Sequence, residues 1–155
     1  MKAWQIITHE ASSPTYRRLK TPVPLARKSY YGSFKDSEEV RRAWQSTQEF
    51  AVALGAKIVL LQCPASFKPT KENKEAHGKF LGQAGPLPFR IAVEVRGEWR
   101  REDIQPFMND YSIIHAIAPF VQSPARQAFI FYRLHGKGPS SNHFDYRYPP
   151  QDLAE

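Results

Sequence analysis

Residues 90–97 read RIAVEVRG, an apolar run in which branched side chains alternate with small or charged ones. Successive side chains of a β-strand point to opposite faces of the sheet, so this single run assigns both faces. The branched residues predict a face that packs on helices: Ile91, Val93 and Val95. The alternate residues then belong to the inner face: Ala92, Glu94 and Arg96.

Four further apolar runs of similar length also end in polar residues able to do chemistry. They lie at residues 1–10, 57–64, 113–120 and 129–136. Strands whose C-terminal ends carry His, Gln, Glu and Arg are typical of α/β barrels, in which function sits on that rim. The pattern therefore predicts an α/β fold with about five parallel strands and intervening helices, and a site at the strand ends.

The same alternation predicts which polar residues meet at that rim. Two other runs supply inner-face residues: Ile58, Leu60 and Gln62 in one, and Phe129, Phe131, Arg133 and His135 in the other. Glu94 and Arg96 would therefore converge with Arg133 and His135 on one patch, because the inner faces of neighbouring strands are continuous. Gln62 is expected at the end of its strand.

Cations outnumber acids in this patch. A buried charge without a partner is strongly disfavoured, so Glu94 should pair with Arg96 or Arg133. Such a pair could merely fill a barrel interior, but two arginines and a histidine exceed what one carboxylate needs. The surplus suits a phosphate or carboxylate ligand, which Arg can bind through two parallel hydrogen bonds.

Metal and nucleophile chemistry receive less support. His9 and His135 are predicted at strand ends, where Glu94 could join them as a metal ligand, but no close ligand spacing supports a metal site. The position of His115 early in its run predicts a core residue. Cys63 has no obvious base nearby in the sequence, which argues against a nucleophile. The sequence leaves any cofactor undetermined.

Size and composition predict a single domain over residues 1–155. No apolar stretch approaches the roughly 20 residues that a membrane-spanning helix needs, and no secretory signal is visible. The lone Cys63 suits a reducing compartment, so a cytoplasmic location is expected.

The formal net charge is +7, and residues 1–35 carry seven Lys and Arg side chains against Glu10 alone.

Much of that positive charge belongs to residues 11–35, which read as a long basic loop with three prolines. A basic field of this kind attracts polyanions such as nucleic acid, although a merely solvated loop is an open alternative. The residues expected to bind nucleic acid are Arg17, Arg18, Lys20, Arg27 and Lys28. The interleaved aromatic residues would stack on bases or pin the loop to the rim: Tyr16, Tyr30, Tyr31 and Phe34.

Three helices are predicted between the runs. The first spans Ser37–Leu54, with Asp36 as its cap, Gly55 as its stop, and Trp44 and Phe50 among its buried residues. The second follows Thr70 and ends near Gln83. The third begins near Asp103, which places Pro106 in the first turn, and the tail from Gly136 is expected to be loop.

Five ordered motifs resemble the YecE-like family, known as domain of unknown function 72. They are ITH at 7–9, YGSF at 31–34, LQCPASFKPT at 61–70, EVRGEW at 94–99 and YRLHG at 132–136. The resemblance implies a (β/α)8 TIM-type barrel, similar to metal-dependent apurinic-site endonucleases. It also implies a set of polar rim residues: Lys2, His9, Gln62, Glu94, Arg96, Arg133 and His135.

Two departures from the family pattern matter. Family members have two strands before this region and one after it, so a partial barrel is expected here. Five parallel strands cannot close, and the open edges at residues 2–8 and 129–135 predict a homo-oligomer, a companion chain or a shortened gene model. Ala118 stands where the family often carries an acid, which weakens the case for metal-assisted chemistry.

The leading functional hypothesis is a barrel protein that binds a phosphate-bearing polyanion, such as nucleic acid. The residues predicted to bind the anion are Lys2, Gln62, Arg96 and Arg133. If the protein is an enzyme, Glu94 or His135 would be the general acid or base of a phosphodiesterase or nuclease-like reaction, with metal assistance left open. The alternatives are an enzyme or sensor for a small phosphate or carboxylate metabolite, with the basic loop as a lid, and a non-catalytic interaction module.

Overall fold

The structure is a computed structural model that describes residues 1–120, 123–125, 127–136 and 146–153. Its helices of α type are α1 (Gln5–Thr8), α2 (Glu38–Ala53), α3 (Lys71–Gln83), α4 (Arg101–Tyr111) and α5 (Pro150–Leu153). Its strands are β1 (Ile58–Gln62), β2 (Arg90–Glu94), β3 (Ile114–Ile117) and β4 (Phe131–Tyr132). Two 3-10 helices lie at Pro14–Arg18 and Leu25–Tyr30. Within the described ranges, every helix is too short or too polar to cross a membrane.

The four strands form one parallel sheet in the order β1-β2-β3-β4. Lys2 forms a parallel bridge to Leu60 at the edge of β1 that is not paired with β2. Helices α3 and α4 connect β1 to β2 and β2 to β3. This arrangement confirms the predicted fold class, an α/β fold consistent with a partial TIM-type barrel.

The first apolar run differs from its prediction. Instead of a strand along residues 2–8, only Lys2 bridges to the sheet, and Gln5–Thr8 form the short helix α1. The helix packs on α2, where it buries Ile7 completely, and the Trp4 amide approaches the Thr47 hydroxyl at 3.5 Å. Contact with a neighbouring helix here outweighs the strand preference of the apolar residues, a preference that depends strongly on context.

The two faces of the sheet carry the residues that the alternation predicted. Ile91, Val93 and Val95 belong to the main core that the helices cover. A second, smaller cluster lies on the inner face and contains Leu60, Ala92, Ile114 and Ala116, with Ile58 and Phe131 packed against it. The assignment of Glu94 to the inner face therefore follows from the same register.

Helix α2 confirms the predicted span but not all of its details. Ser37 is the cap, because its hydroxyl accepts a hydrogen bond from the Val40 amide at 3.3 Å, whereas Asp36 instead pairs with Lys79 and Arg41. The prediction that Phe50 is a core residue was wrong, since it is 53% exposed. Ala51 takes the buried position at that turn, four residues after Thr47, and Phe50 falls on the flank of the helix.

The other two long helices follow the prediction with one correction. Thr70 caps α3 through the Asn73 amide, and α3 ends at Gln83 as expected. Helix α4 begins at Arg101, two residues earlier than predicted, so Pro106 lies in the second turn rather than the first. There it removes one hydrogen bond that an interior residue would have donated to the preceding turn.

The basic loop is more ordered than its composition suggested. It contains the two 3-10 helices, and it buries Tyr16 and Phe34. Phe34 packs against Phe67 and Phe80 with ring centroids 5.3 and 5.2 Å apart. In the tail, which was expected to be loop, Pro150–Leu153 are helical, and residues 137–145 lie outside the described part of the chain.

Candidate anion-binding site

The C-terminal ends of the strands bring the predicted polar residues together. Gln62 and Glu94 are register partners at the ends of β1 and β2. Arg133 follows β4 directly, and its amide donates to the Ile117 carbonyl at 2.7 Å, which fixes it at the same edge. Because the strands are parallel, these ends meet at one edge of the sheet. We call this group, with Lys2, Arg96 and His135, the rim cluster.

Glu94 is the centre of the rim cluster. It is only 4% exposed. Its Oε1 accepts hydrogen bonds from Arg96 Nε at 3.0 Å and from Gln62 Nε2 at 3.4 Å, and its Oε2 accepts one from Arg133 Nη1. His135 Nε2 lies 3.4 Å from Glu94 Oε1, within ion-pair range, but the geometry is not that of a hydrogen bond.

The electrostatics keep Glu94 charged. Burial alone would raise the pKa of its carboxyl, but the hydrogen bonds and charges of Arg133 and Arg96 outweigh burial and hold the pKa below its usual value. The carboxylate is therefore a fixed anion that orients two guanidinium groups. Glu94 therefore pairs with both arginines, whereas the sequence predicted a pair with one of them.

Lys2 joins the rim cluster from the edge of the sheet. As the bridge partner of Leu60, it shares the inner face with that residue. The pKa of Lys2 is lowered by partial burial and then by the charges of Arg133 and Arg96, while Glu94 acts in the opposite direction. Three cationic side chains therefore lie close enough to repel one another, around a single carboxylate.

His9 borders the same group. It follows α1, not the strand end that was predicted, and it is 8% exposed. Its Nδ1 lies 2.8 Å from Thr8 Oγ1. Burial, followed by the charges of Lys2 and Arg96, lowers the pKa of His9 to about 4, so its imidazole is neutral at neutral pH. His9 thus adds hydrogen-bonding capacity without charge.

Residues 31–34 dock the basic loop onto His9. Gly32, Ser33 and Phe34 all have positive φ angles, and their amides donate to the carbonyls of Ile6, Thr8 and Ile7. A Cβ at Gly32 would lie 2.3 Å from the carbonyl carbon of His9, so only glycine permits this approach. The Tyr16 hydroxyl also donates to the His9 carbonyl at 2.9 Å.

The five loop residues that were predicted to bind nucleic acid have different surroundings. All five are exposed. Arg27 is partly neutralised, since its Nε lies 2.6 Å from Glu39 and its Nη2 lies 3.7 Å from Glu38. Across the described ranges, no ion pair involves the other four: Arg17, Arg18, Lys20 and Lys28.

Residues 1–155 match the family model described as "Protein of unknown function DUF72". The chain belongs to the DUF72 family. Comparisons with curated proteins and with solved structures gave no significant match.

Two further titratable groups of this DUF72 chain are buried. His115 is fully buried, as predicted, and its Nδ1 accepts a hydrogen bond from the Ala125 amide at 3.3 Å. Cys63 is also buried, and burial raises the pKa of its thiol above the usual value. Among the residues that the structure describes, no three His, Cys, Asp or Glu side chains are grouped closely enough to hold a metal ion.

Sequence reasoning underestimated two contributions to the site. It expected His9 at a strand end and did not foresee that the YGSF segment would hold it in place. The only sequence signal was Gly32 within residues 31–34, because a glycine between bulky residues often marks a close backbone approach.

Proposed function

We propose that this DUF72 domain binds a phosphate-bearing polyanion, nucleic acid, at the rim cluster and along the basic loop. The observation that carries the proposal is the surplus of cations around Glu94. Arg96 and Arg133 each use one N–H group on the carboxylate, and a guanidinium has five. The remaining donors, with Lys2, are suited to phosphate oxygens.

The extent of the basic surface favours a polymer over a small ligand. The loop docks beside the rim cluster through Gly32 and the Tyr16 hydroxyl. It therefore places Arg17 and Arg18 on an element that is fixed next to His9. A series of cations on one surface suits a chain with repeating phosphates, whose binding releases counterions at each contact.

Phosphodiester cleavage is the activity that we propose for this site if it is catalytic. The low pKa of Glu94 makes its carboxylate a weak proton acceptor and favours a role in orienting the arginines. His135, beside Glu94, is then the candidate for proton transfer, since the lowered pKa of His9 makes that imidazole a weak proton acceptor too. Turnover of a labelled oligonucleotide, with and without added divalent cations, tests this part of the proposal.

The salt dependence of binding tests the basic loop. We compare R17Q/R18Q with R41Q/R42Q, a matched pair of adjacent arginines on α2 whose side chains pair with Asp36 and Glu38. If Arg17 and Arg18 each contact a phosphate, their loss should reduce the slope of log affinity against log salt by about 1.4 for single-stranded DNA.

The control pair should leave that slope unchanged, because its charges already have partners on the protein. Fluorescence anisotropy with a labelled oligonucleotide at several salt concentrations gives both slopes. Equal slopes for the two double variants would reject the loop as a nucleic-acid surface, and affinity independent of salt would reject the proposal as a whole.

The same experiments also test the alternative functions. Binding of a phosphorylated metabolite without any binding of oligonucleotide would support the small-molecule enzyme or sensor, with the loop as its lid. We also propose that the protein is cytoplasmic. A second copy or a companion chain is further proposed to cover the sheet edges at Lys2 and β4. Light scattering in solution distinguishes a monomer from an assembly.

A further inference from the structure

We propose that the rim cluster selects a phosphate monoester, such as a terminal phosphate of a nucleic-acid strand, over the phosphodiesters within the strand. This inference deepens the proposed function and depends on it, since it assumes that the rim cluster binds phosphate. In this inference the basic loop binds the phosphodiesters within the nucleic-acid strand, and the rim cluster binds the phosphate at the end of the strand.

The charge of the rim cluster points to a dianion. Lys2, Arg96 and Arg133 carry one positive charge each, and Glu94 carries one negative charge. The fixed charges therefore leave a net of two positive charges. A phosphodiester supplies one negative charge, whereas a monoester supplies 1.5 to 2 near pH 7 because its second pKa is about 6. Only the monoester matches the surplus.

Neighbouring acids do not reduce that surplus. Glu98, two residues after Arg96, pairs with Lys68. Glu10, next to His9, lies 3.6 Å from Lys35. Each of these carboxylates has a cation of its own.

The available donors also fit three terminal oxygens. Arg96 and Arg133 approach Glu94 through Nε and Nη1 respectively, and their side chains keep 44% and 24% of their exposure. Each side chain is therefore partly open to solvent, and each guanidinium has N–H groups beyond the one that it donates to Glu94. The ammonium of Lys2 supplies three more, whereas a diester would offer only two non-bridging oxygens to this set.

The uncharged residues beside the rim cluster are also compatible with selection of a monoester. Gln62 and His9 can bond to phosphate or to its leaving oxygen without adding charge. Burial and then repulsion from Arg133 and Arg96 lower the pKa of Lys2, and a bound dianion would relieve the repulsion. A monoanion would relieve it only in part.

The test uses one oligonucleotide sequence with different ends, bound to the full chain at pH 7.5. The ends are a 5′-phosphate, a 3′-phosphate, a 5′-phosphate methyl diester and free hydroxyls, and a nucleoside 5′-monophosphate and inorganic phosphate are measured separately. We expect at least one terminal monoester to bind roughly tenfold or more tightly than the methyl diester, as an added charged hydrogen bond implies.

Lowering the pH to 5 should reduce this ratio, because the monoester becomes a monoanion like the diester. The diester at the same pH is the reference, so effects of pH on the protein itself act on both ligands. At pH 7.5 the variant K2Q should lose most of the preference for the monoester, because the fixed charges of the rim cluster then leave a net of only one positive charge. K57Q, which changes an exposed lysine before β1, at the opposite end of the sheet, should keep that preference.

The outcomes separate this inference from the proposed function. Equal affinity for all four ends would overturn the monoester selection while leaving nucleic-acid binding intact. No binding of any strand or phosphate would overturn both. Tight binding of the nucleoside monophosphate alone would support the monoester site and reject nucleic acid as its source.

Discussion

His77 is a polar side chain that lies buried among aromatic rings. It is fully buried on α3, with the rings of Phe34 and Phe107 at centroid distances of 4.5 and 4.7 Å. Neither ring nitrogen has a hydrogen-bond partner within the described residues. Burial lowers the pKa of His77 to about 3, so the folded protein holds this imidazole neutral.

This environment predicts acid-sensitive stability. In the unfolded chain the pKa of His77 is near the ordinary histidine value of 6.5, whereas in the folded chain it is about 3. Stability is therefore complete above pH 6.5 and falls as the pH drops towards 3, by about 2 kcal/mol between pH 7.5 and 5 from this group. Urea unfolding of wild type and H77L at both pH values measures it.

In H77L the fall between the two pH values should be smaller by that amount, whatever the stability of the variant at pH 7.5. His9 and His115, whose pKa values are both lowered to about 4, remain in both proteins. The two proteins would lose equal stability on acidification if His77 were protonated in the folded state.

Residues 31–34 are the element that joins the basic loop to the rim cluster. Gly32 is held at φ +76° with its α-carbon against the backbone of His9 and Glu10. Gly55, which ends α2, has a similar φ of +60° but faces open space. The two glycines therefore separate the cost of the left-handed conformation from the cost of a backbone clash.

We expect G55A to lower the free energy of unfolding by about 1 kcal/mol, the usual cost of a left-handed alanine. G32A should cost more and should also weaken oligonucleotide binding, because the loop must shift away from His9. Thermal unfolding and anisotropy measure both effects. Similar stability losses and unchanged binding in both variants would show that the loop is not docked as described.

The secondary-structure elements show which features of the fold local sequence patterns can predict. In β2 the alternation of branched with small or charged residues assigned both faces correctly, because register makes every second residue equivalent. In residues 1–10 the same reasoning failed, since α1 forms through packing of Ile7 on α2. The prediction that Asp36 caps α2 was wrong, because Asp36 pairs with Arg41 and Lys79 while Ser37 caps the helix.

At the scale of the whole molecule, one part of the candidate site could be predicted from the sequence and another part could not. Glu94, Arg96, Arg133 and His135 could be brought together from strand alternation alone, because parallel strands share an edge. His9 and the docked loop could not, because their position depends on hydrogen bonds between segments over 20 residues apart, such as Gly32 to Ile6. No local pattern encodes such a contact, although the glycine that allows it is visible.

The most direct test is a crystal structure of the protein grown or soaked with inorganic phosphate or tungstate. We predict an anion in contact with Lys2, Arg96 and Arg133, with both arginines still bonded to Glu94. A structure that separates Arg133 from Glu94, or that places every anion away from these three side chains, would contradict the site on which the functional proposals depend.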